Sequence, residues 1–140
     1  MNNKMKITFS ALSENEAFAR TAVAGFVMSL DPTVEQITDI KTAVSEAVTN
    51  CVVHGYPDKS GEILLECEII SGVLHIKISD FGVGISNLSQ VLEPFYTSKP
   101  LEERAGMGFT IMRTFMDSFE VESSANNGTV VKMSKTLKIA

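Results

Sequence analysis

Residues 62–84 read EILLECEIISGVLHIKISDFGVG. Two runs in that stretch alternate with a period of two. Ile63, Leu65, Cys67 and Ile69 are apolar against Glu62, Glu66 and Glu68. After Ser71-Gly72, Leu74, Ile76 and Ile78 are apolar against His75, Lys77 and Ser79. Successive strand residues face opposite ways, so the stretch predicts a hairpin with one buried face. Asp80 continues the apolar parity and aims a carboxylate inward; the alternative is that the strand has already ended and Asp80 is a turn residue. Gly82-Val83-Gly84 follows at once and removes side-chain bulk beside that carboxylate. A buried carboxylate needs hydrogen-bond donors. The amino group of adenine is one, so Asp-x-Gly-x-Gly at a strand end suits a purine pocket.

Upstream of the hairpin the period is helical. Met5–Phe9 alternates and predicts a short strand. Ser13-Glu14-Asn15-Glu16 has the pattern of a capping box opening a helix through Phe18, Ala22, Val23, Phe26, Val27 and Leu30, which Asp31-Pro32 ends. Thr33 followed by Gln36 caps a second helix, with an apolar stripe at Ile37, Ile40, Val44, Ala47, Val48 and Cys51. Gly55 is expected to stop it as a left-handed C-cap. Downstream, residues 81–106 are rich in Gly, Ser and Pro and predict a long lid-like loop with a helical turn around Leu88–Leu92. Met107–Met116 predicts a helix, and Phe119–Ser123 with Thr129–Leu137 a second hairpin. The order suggests a single α+β domain over 1–140: a two-layer sandwich with a mixed, mostly antiparallel sheet and helices on one face.

Three further groups carry chemistry. Glu46 and Asn50 are four apart and share a helix face roughly opposite the apolar stripe. Alone they read as two solvated residues, but Ala43 and Val53 lie on the same side, so the face is not simply wet. Mg2+ keeps waters and phosphate oxygens and accepts one or two side-chain oxygens; Asn50 could supply one, and Glu46 could act as general base on an attacking hydroxyl. Gly106-Met107-Gly108-Phe109 is expected to open a helix, where free backbone N–H groups bind phosphate. Lys99 and Arg104 precede it and place two cations near a triphosphate tail; the bland alternative is ordinary solvated charge. Gly128-Thr129 begins the last strand, where the Thr129 hydroxyl could bond the base or its carboxylate.

Composition limits the partners. With 44% hydrophobic and 21% charged residues the chain is too apolar for disorder, and its formal net charge of -5 disfavours direct nucleic-acid binding. Cys51 and Cys67 have no metal-ligand spacing and read as reduced core residues. No signal core or membrane-length apolar run occurs, so a cytoplasmic location without membrane contact is expected.

In their order, Glu46-x-x-x-Asn50, Asp80-x-Gly82-x-Gly84, Gly106-x-Gly108 and Gly128-Thr129 resemble the motifs of the Bergerat (GHKL) ATP-binding superfamily. Residues 45–50, His54-Gly55-Tyr56, 95–100 and 106–112 resemble the anti-sigma serine kinases of spore-forming bacteria. The opening Phe9–Ser13 with Asn15-Glu16, Phe18-Ala19-Arg20 and Leu30–Thr33 is similar to the branch that controls the forespore sigma factor, sigma-F. The match spans about Met5 to Leu137.

The resemblance implies a protein that binds ATP or ADP with Mg2+, holds sigma-F inactive, and phosphorylates a serine on a small anti-anti-sigma antagonist. It implies a homodimer, with Arg20 at a position used for partner contacts. In that scheme Asp80 takes the adenine amino group with support from Thr129, and Asn50 holds Mg2+. The amides of Gly106, Met107, Gly108 and Phe109 receive phosphate, Glu46 is the base, and Arg104 stabilises the γ-phosphoryl charge. Phe81 departs from the acidic residue common after the family's Asp, Ala105 stands where relatives tend to have Ser, and residues 57–61 are the chain's own. A histidine kinase is disfavoured because His54 precedes Gly55 and His75 lies in a strand, neither on a dimerisation helix. A nucleotide-gated sigma-binding protein without kinase activity, and a general-stress anti-sigma kinase, remain as alternatives.

Overall fold

The computed structural model describes residues 2–86, 88, 92 and 100–137, with the backbone alone for 100–105. In chain order the elements are β1 (Asn3–Ser10), α1 (Asn15–Val27) with a 3-10 turn (Met28–Leu30), and α2 (Val34–Asn50), continuing into a π turn (Cys51–Gly55). Then come β2 (Glu62–Ile70), β3 (Val73–Asp80), α3 (Pro100–Phe115), β4 (Ser118–Ser123) and β5 (Thr129–Thr136). The strands form one sheet in the order β1-β2-β3-β5-β4, and every pairing among them is antiparallel. The expected two-layer α+β sandwich is what forms, with α2 between α1 and α3 over one sheet face.

The strand alternation does what period two requires. Ile63, Leu65, Cys67 and Ile69 of β2, and Leu74, Ile76 and Ile78 of β3, are all buried against the helices. The other face carries charge in register: Lys6 lies beside Glu66, Glu66 beside Lys77, Lys77 beside Lys132, and Lys132 beside Glu120. That open face holds a broad hollow of ≈ 660 Å³, lined by none of the residues expected to carry chemistry.

Helix starts follow their caps in one case of two. Thr33 accepts from the Gln36 N–H at 3.1 Å while the Gln36 side chain accepts from the Thr33 N–H at 2.9 Å, a complete capping box. The expected box at Ser13 does not form. Its hydroxyl donates to Glu14 at 2.9 Å, and Asn15 reaches back to the Ser10 carbonyl, so α1 begins without a side-chain cap. The buried stripe of α1 is Ala19, Val23 and Val27 rather than one beginning at Phe18, which is half exposed and meets Phe9 edge-on at 6.2 Å.

Two boundaries differ from the sequence expectation and bear on function. Gly55 is not a left-handed cap: the positive-φ glycines are Gly72, Gly84 and Gly128. Instead α2 widens, with the Tyr56 N–H reaching the Cys51 carbonyl five residues back. Helix α3 starts at Pro100 rather than Met107. Part of the expected loop is therefore helix, and Gly106–Phe109 lie inside it.

Candidate functional site

Asp80 is the last residue of β3, on the central strand of the sheet, and it keeps the buried parity at 3% exposure. The Gly82 N–H donates to its Oδ1 at 3.0 Å, and the Cys51 thiol and the Thr129 backbone N–H are the other donors near it. Burial pushes the carboxyl above the ordinary range, and those three donors act against that rise. Burial, and then the Asp80 charge, pushes the Cys51 thiol well above its usual value, so Cys51 stays protonated and acts as a donor.

The glycines around Asp80 serve close approach, and not as first expected. A Cβ on Gly55 would lie 2.8 Å from the Asp80 Cγ and Oδ2, so it is Gly55 that makes room for the carboxylate. Gly82 instead lies against the Gly55 carbonyl, where a Cβ would come within 1.8 Å, and Val83 donates to that same carbonyl at 2.9 Å. Gly84, at φ +70°, packs against the Ser124 carbonyl. Tyr56 completes the corner by donating to the Glu62 carbonyl at 2.7 Å and accepting from the Phe81 N–H at 2.7 Å. The end of α2 is thereby tied to β2 and β3.

Thr129 stands opposite Asp80 in the β3–β5 register. Its hydroxyl lies 2.7 Å from the Ser123 Oγ, which donates to the Gly128 carbonyl at 3.0 Å and accepts from the Ile85 N–H at 2.8 Å. The single Ser123 proton is spent on Gly128, so Thr129 donates to Ser123. That leaves the Thr129 oxygen as an acceptor on its remaining side.

The second group meets one helix away. A Cβ on Gly108 would lie 3.1 Å from Asn50 Nδ2, 3.2 Å from Glu46 Oε2 and 3.3 Å from Asn50 Oδ1. Glu46 and Asn50 thus point together at α3, and any side chain larger than glycine's would press on both. Asn50 Nδ2 is buried with no hydrogen-bond partner among the described residues. An unsatisfied buried donor costs roughly 1–3 kcal/mol, which a ligand oxygen would relieve. Asn50, Cys51, Asp80, Phe109 and Thr129 line a common cavity of only ≈ 10 Å³. Drug-sized ligands occupy roughly 300–1,000 Å³, so the cleft is closed in this conformation.

The remaining expected residues divide. Phe109 is buried against Phe119 at 5.8 Å between ring centroids, whereas Met107 faces solvent. The amides of Gly106–Phe109 sit within α3, not at its start, so the expected free N–H groups are not presented in this conformation. Lys99 and the Arg104 side chain lie outside the described residues. Arg20 is on α1, its Nη1 2.6 Å from Glu16 Oε1, and α1 contributes nothing to the cavity wall. Sequence reasoning missed Cys51, Gly55, Tyr56 and Ser123 as parts of this corner. The Cys51 position, four after Ala47 on the buried stripe, was the available signal.

Known proteins share this chain's sequence family and fold. A family model described as a histidine kinase-like ATPase domain matches residues 9–135. The anti-sigma F factor of Clostridium perfringens (strain SM101 / Type A) is 54% identical over 138 residues, covering 98% of this chain and 99% of the relative. The anti-sigma F factor of Clostridium novyi (strain NT) is 54% identical over 137 residues, covering 97% and 96%. Among solved structures, the RsbU and RsbW domains of a Mycobacterium tuberculosis protein superpose with a TM-score of 0.70 at 20% identity. That match covers 96% of this chain and 32% of the longer one, and it supports the fold alone.

Proposed function

The chain belongs to the histidine kinase-like ATPase domain family and, within it, to the anti-sigma F factors, and from that premise we propose a nucleotide-dependent serine kinase that holds sigma-F inactive. Its phosphorylation substrate is the small anti-anti-sigma protein that releases the sigma factor. It works in the cytoplasm as a homodimer, with Arg20 on a partner surface. No helix among the described residues is long and apolar enough to cross a membrane, in keeping with that setting.

The observation that carries the catalytic reading is the meeting of Glu46 and Asn50 at Gly108, beside a cavity walled by Asp80 and Thr129. Asp80 accepts a proton of the adenine amino group, and the free side of the Thr129 oxygen accepts a second contact. The orphaned Asn50 Nδ2 donates to a phosphate oxygen, and its Oδ1 is the protein oxygen offered to Mg2+. Mg2+ needs no more than one or two such oxygens. That suits a chain with no cluster of three or more His, Cys, Asp or Glu ligands among the described residues. When bound, Mg2+ neutralises charge on the phosphates. Glu46 takes the proton from the serine hydroxyl as its oxygen attacks the γ-phosphorus and ADP leaves. Arg104 stabilises the equatorial oxygens, a role worth roughly 10³–10⁵ in rate elsewhere.

This scheme requires residues 100–105 to leave the helix, so that α3 begins at Gly106 and its first amides are free for phosphate. The narrow cavity is in keeping with that requirement: as it stands it is too small for a nucleotide, and Phe109 of α3 is one of its walls. The test is incubation with γ-labelled Mg-ATP and a lysate of the native host. Acid-stable label on one small protein, lost with Glu46→Ala while ADP binding persists, is the expected result. ATP binding without any labelled protein would replace the kinase with a nucleotide-gated binder and remove the role given to Glu46.

A further inference from the structure

Three side chains stand in one row across the sheet. Ser123 of β4 lies opposite Thr129 of β5, and Thr129 lies opposite Asp80 of β3. Residues opposite one another share a face of the sheet. Asp80 and Thr129 wall the cavity, and Ser123 stands behind Thr129. A serine hydroxyl has one proton and two acceptor sites, and Ser123 uses all three. It donates to the Gly128 carbonyl at 3.0 Å, accepts from the Ile85 N–H at 2.8 Å and meets the Thr129 hydroxyl at 2.7 Å. That last contact therefore takes the Thr129 proton. The bonds to Gly128 and Ile85 are structural: they tie the segment after β3 to the β4–β5 turn, as the Asn126 N–H does to the Val83 carbonyl at 2.6 Å. The bond to Thr129 does something else, because it fixes where a proton points.

We propose that Ser123 is a positioning residue for base selection: by holding the Thr129 proton it keeps the Thr129 oxygen an acceptor toward the cavity, favouring a 6-amino purine over a 6-oxo purine. This rests on the nucleotide reading above and adds the determinant that turns 6-oxo purines away. Asp80 alone does not make that distinction, because a 6-oxo purine still carries a proton on N1 that a carboxylate can accept. A hydroxyl free to turn does not make it either, since it donates to an oxygen as readily as it accepts from an amino group. Locked as an acceptor, Thr129 sets oxygen against oxygen. Ser123 touches no ligand itself and acts through Thr129.

The experiment uses the full chain and measures binding of ADP and of inosine 5′-diphosphate, its 6-oxo counterpart, by calorimetry. The proteins are the parent, Ser123→Ala, Ser123→Cys and Ser123→Thr. Cysteine fills the space of serine but bonds weakly, so it keeps the test open should the alanine variant unfold; threonine keeps the hydroxyl. One hydrogen bond kept or lost is worth on the order of tenfold in affinity, so the parent should prefer ADP by about that factor or more. Ser123→Ala and Ser123→Cys should lose most of the preference, chiefly by binding the 6-oxo nucleotide better relative to ADP, and Ser123→Thr should retain it. In a Thr129→Val background, Ser123→Ala should leave the ratio unchanged, since the group it acts through is gone. The ratio is the readout because the bond to Ile85 also shapes a cavity wall, and its loss alone would weaken both nucleotides alike. Equal weakening of both, a threonine variant no better than alanine, or a further change of ratio in the Thr129→Val background would overturn the role. A parent that prefers ADP, with the preference intact in the alanine and cysteine variants, overturns this inference alone. A parent that binds both diphosphates alike overturns it together with the adenine contact to Asp80, and one that binds neither overturns the nucleotide reading as well.

Discussion

Asp80 places function and stability in opposition within one side chain. Its folded-state pKa lies above the unfolded value because burial outweighs the donors around it. The group therefore favours folding most below the unfolded value, and that contribution is lost as pH rises through the folded value. Once ionised, the carboxylate is a cost to folding, offset in the proposed scheme by its ligand. Asp80→Asn removes the titration, so its melting temperature relative to the parent should climb with pH across the carboxyl range, while ADP affinity falls about tenfold or more. Melting curves at several pH values together with one binding titration check this, and a difference that stays flat with pH would contradict the buried, ionising Asp80. Asp80 was legible in the sequence because strand parity is a local rule, and Glu46 with Asn50 because helix spacing is another. Cys51, Gly55 and Ser123 were not. Each owes its role to a residue at least five positions away, Asp80 for the first two and both Ile85 and Gly128 for the third, and no periodicity encodes such meetings.

At the level of elements, the packing of α2 on α3 turns on a single absent side chain. Gly108 sits in mid-helix, where alanine is favoured by about 1 kcal/mol. Its Cβ would nonetheless press on both Asn50 and Glu46 at 3.1–3.3 Å. Gly108→Ala should therefore leave the melting temperature within a few degrees of the parent, propensity offsetting crowding, yet lower ADP affinity and phosphoryl transfer sharply. A thermal melt and the labelling assay read the two effects apart, and unimpaired binding would show that the Glu46–Asn50 face lies outside the site. Helix α2 was legible from Thr33 onward because its capping box is formed by side chains three residues apart. The start of α3 was not, since residues 100–106 carry a proline, a glycine and three charges that read equally well as loop. Pro at the first helical position is in fact a good start, its missing N–H being one the helix leaves unpaired anyway. The Lys135 ammonium, 2.6 Å from the Phe115 carbonyl and 3.5 Å from Asp39, secures the other end of α3 to β5 and α2.

For the whole molecule, the cavity joins α2, β3, α3 and β5, so nucleotide should bind the folded chain and not the unfolded one. ADP at a hundred times its dissociation constant would then add about 2.7 kcal/mol of stability, a rise of roughly ten degrees in melting temperature. The rise should vanish in Asp80→Ala, and a shift of equal size there would place the nucleotide elsewhere. The sheet imposes a further condition. Its order, β1-β2-β3-β5-β4, pairs Asn3 with Ile69 and Val73 with Thr136, contacts that each span nearly half of the chain. Such distant partners make for slow folding, of order milliseconds to seconds. They also mean that the last wall of the cavity, Thr129 and Val131, is made after nearly everything else. A ribosome that stalls before Thr129 leaves a fragment holding Glu46, Asn50 and Asp80 with no chamber to put them to use. Unfinished copies are thus born inert, and a cell making this regulator meets only complete ones as competitors for its nucleotide.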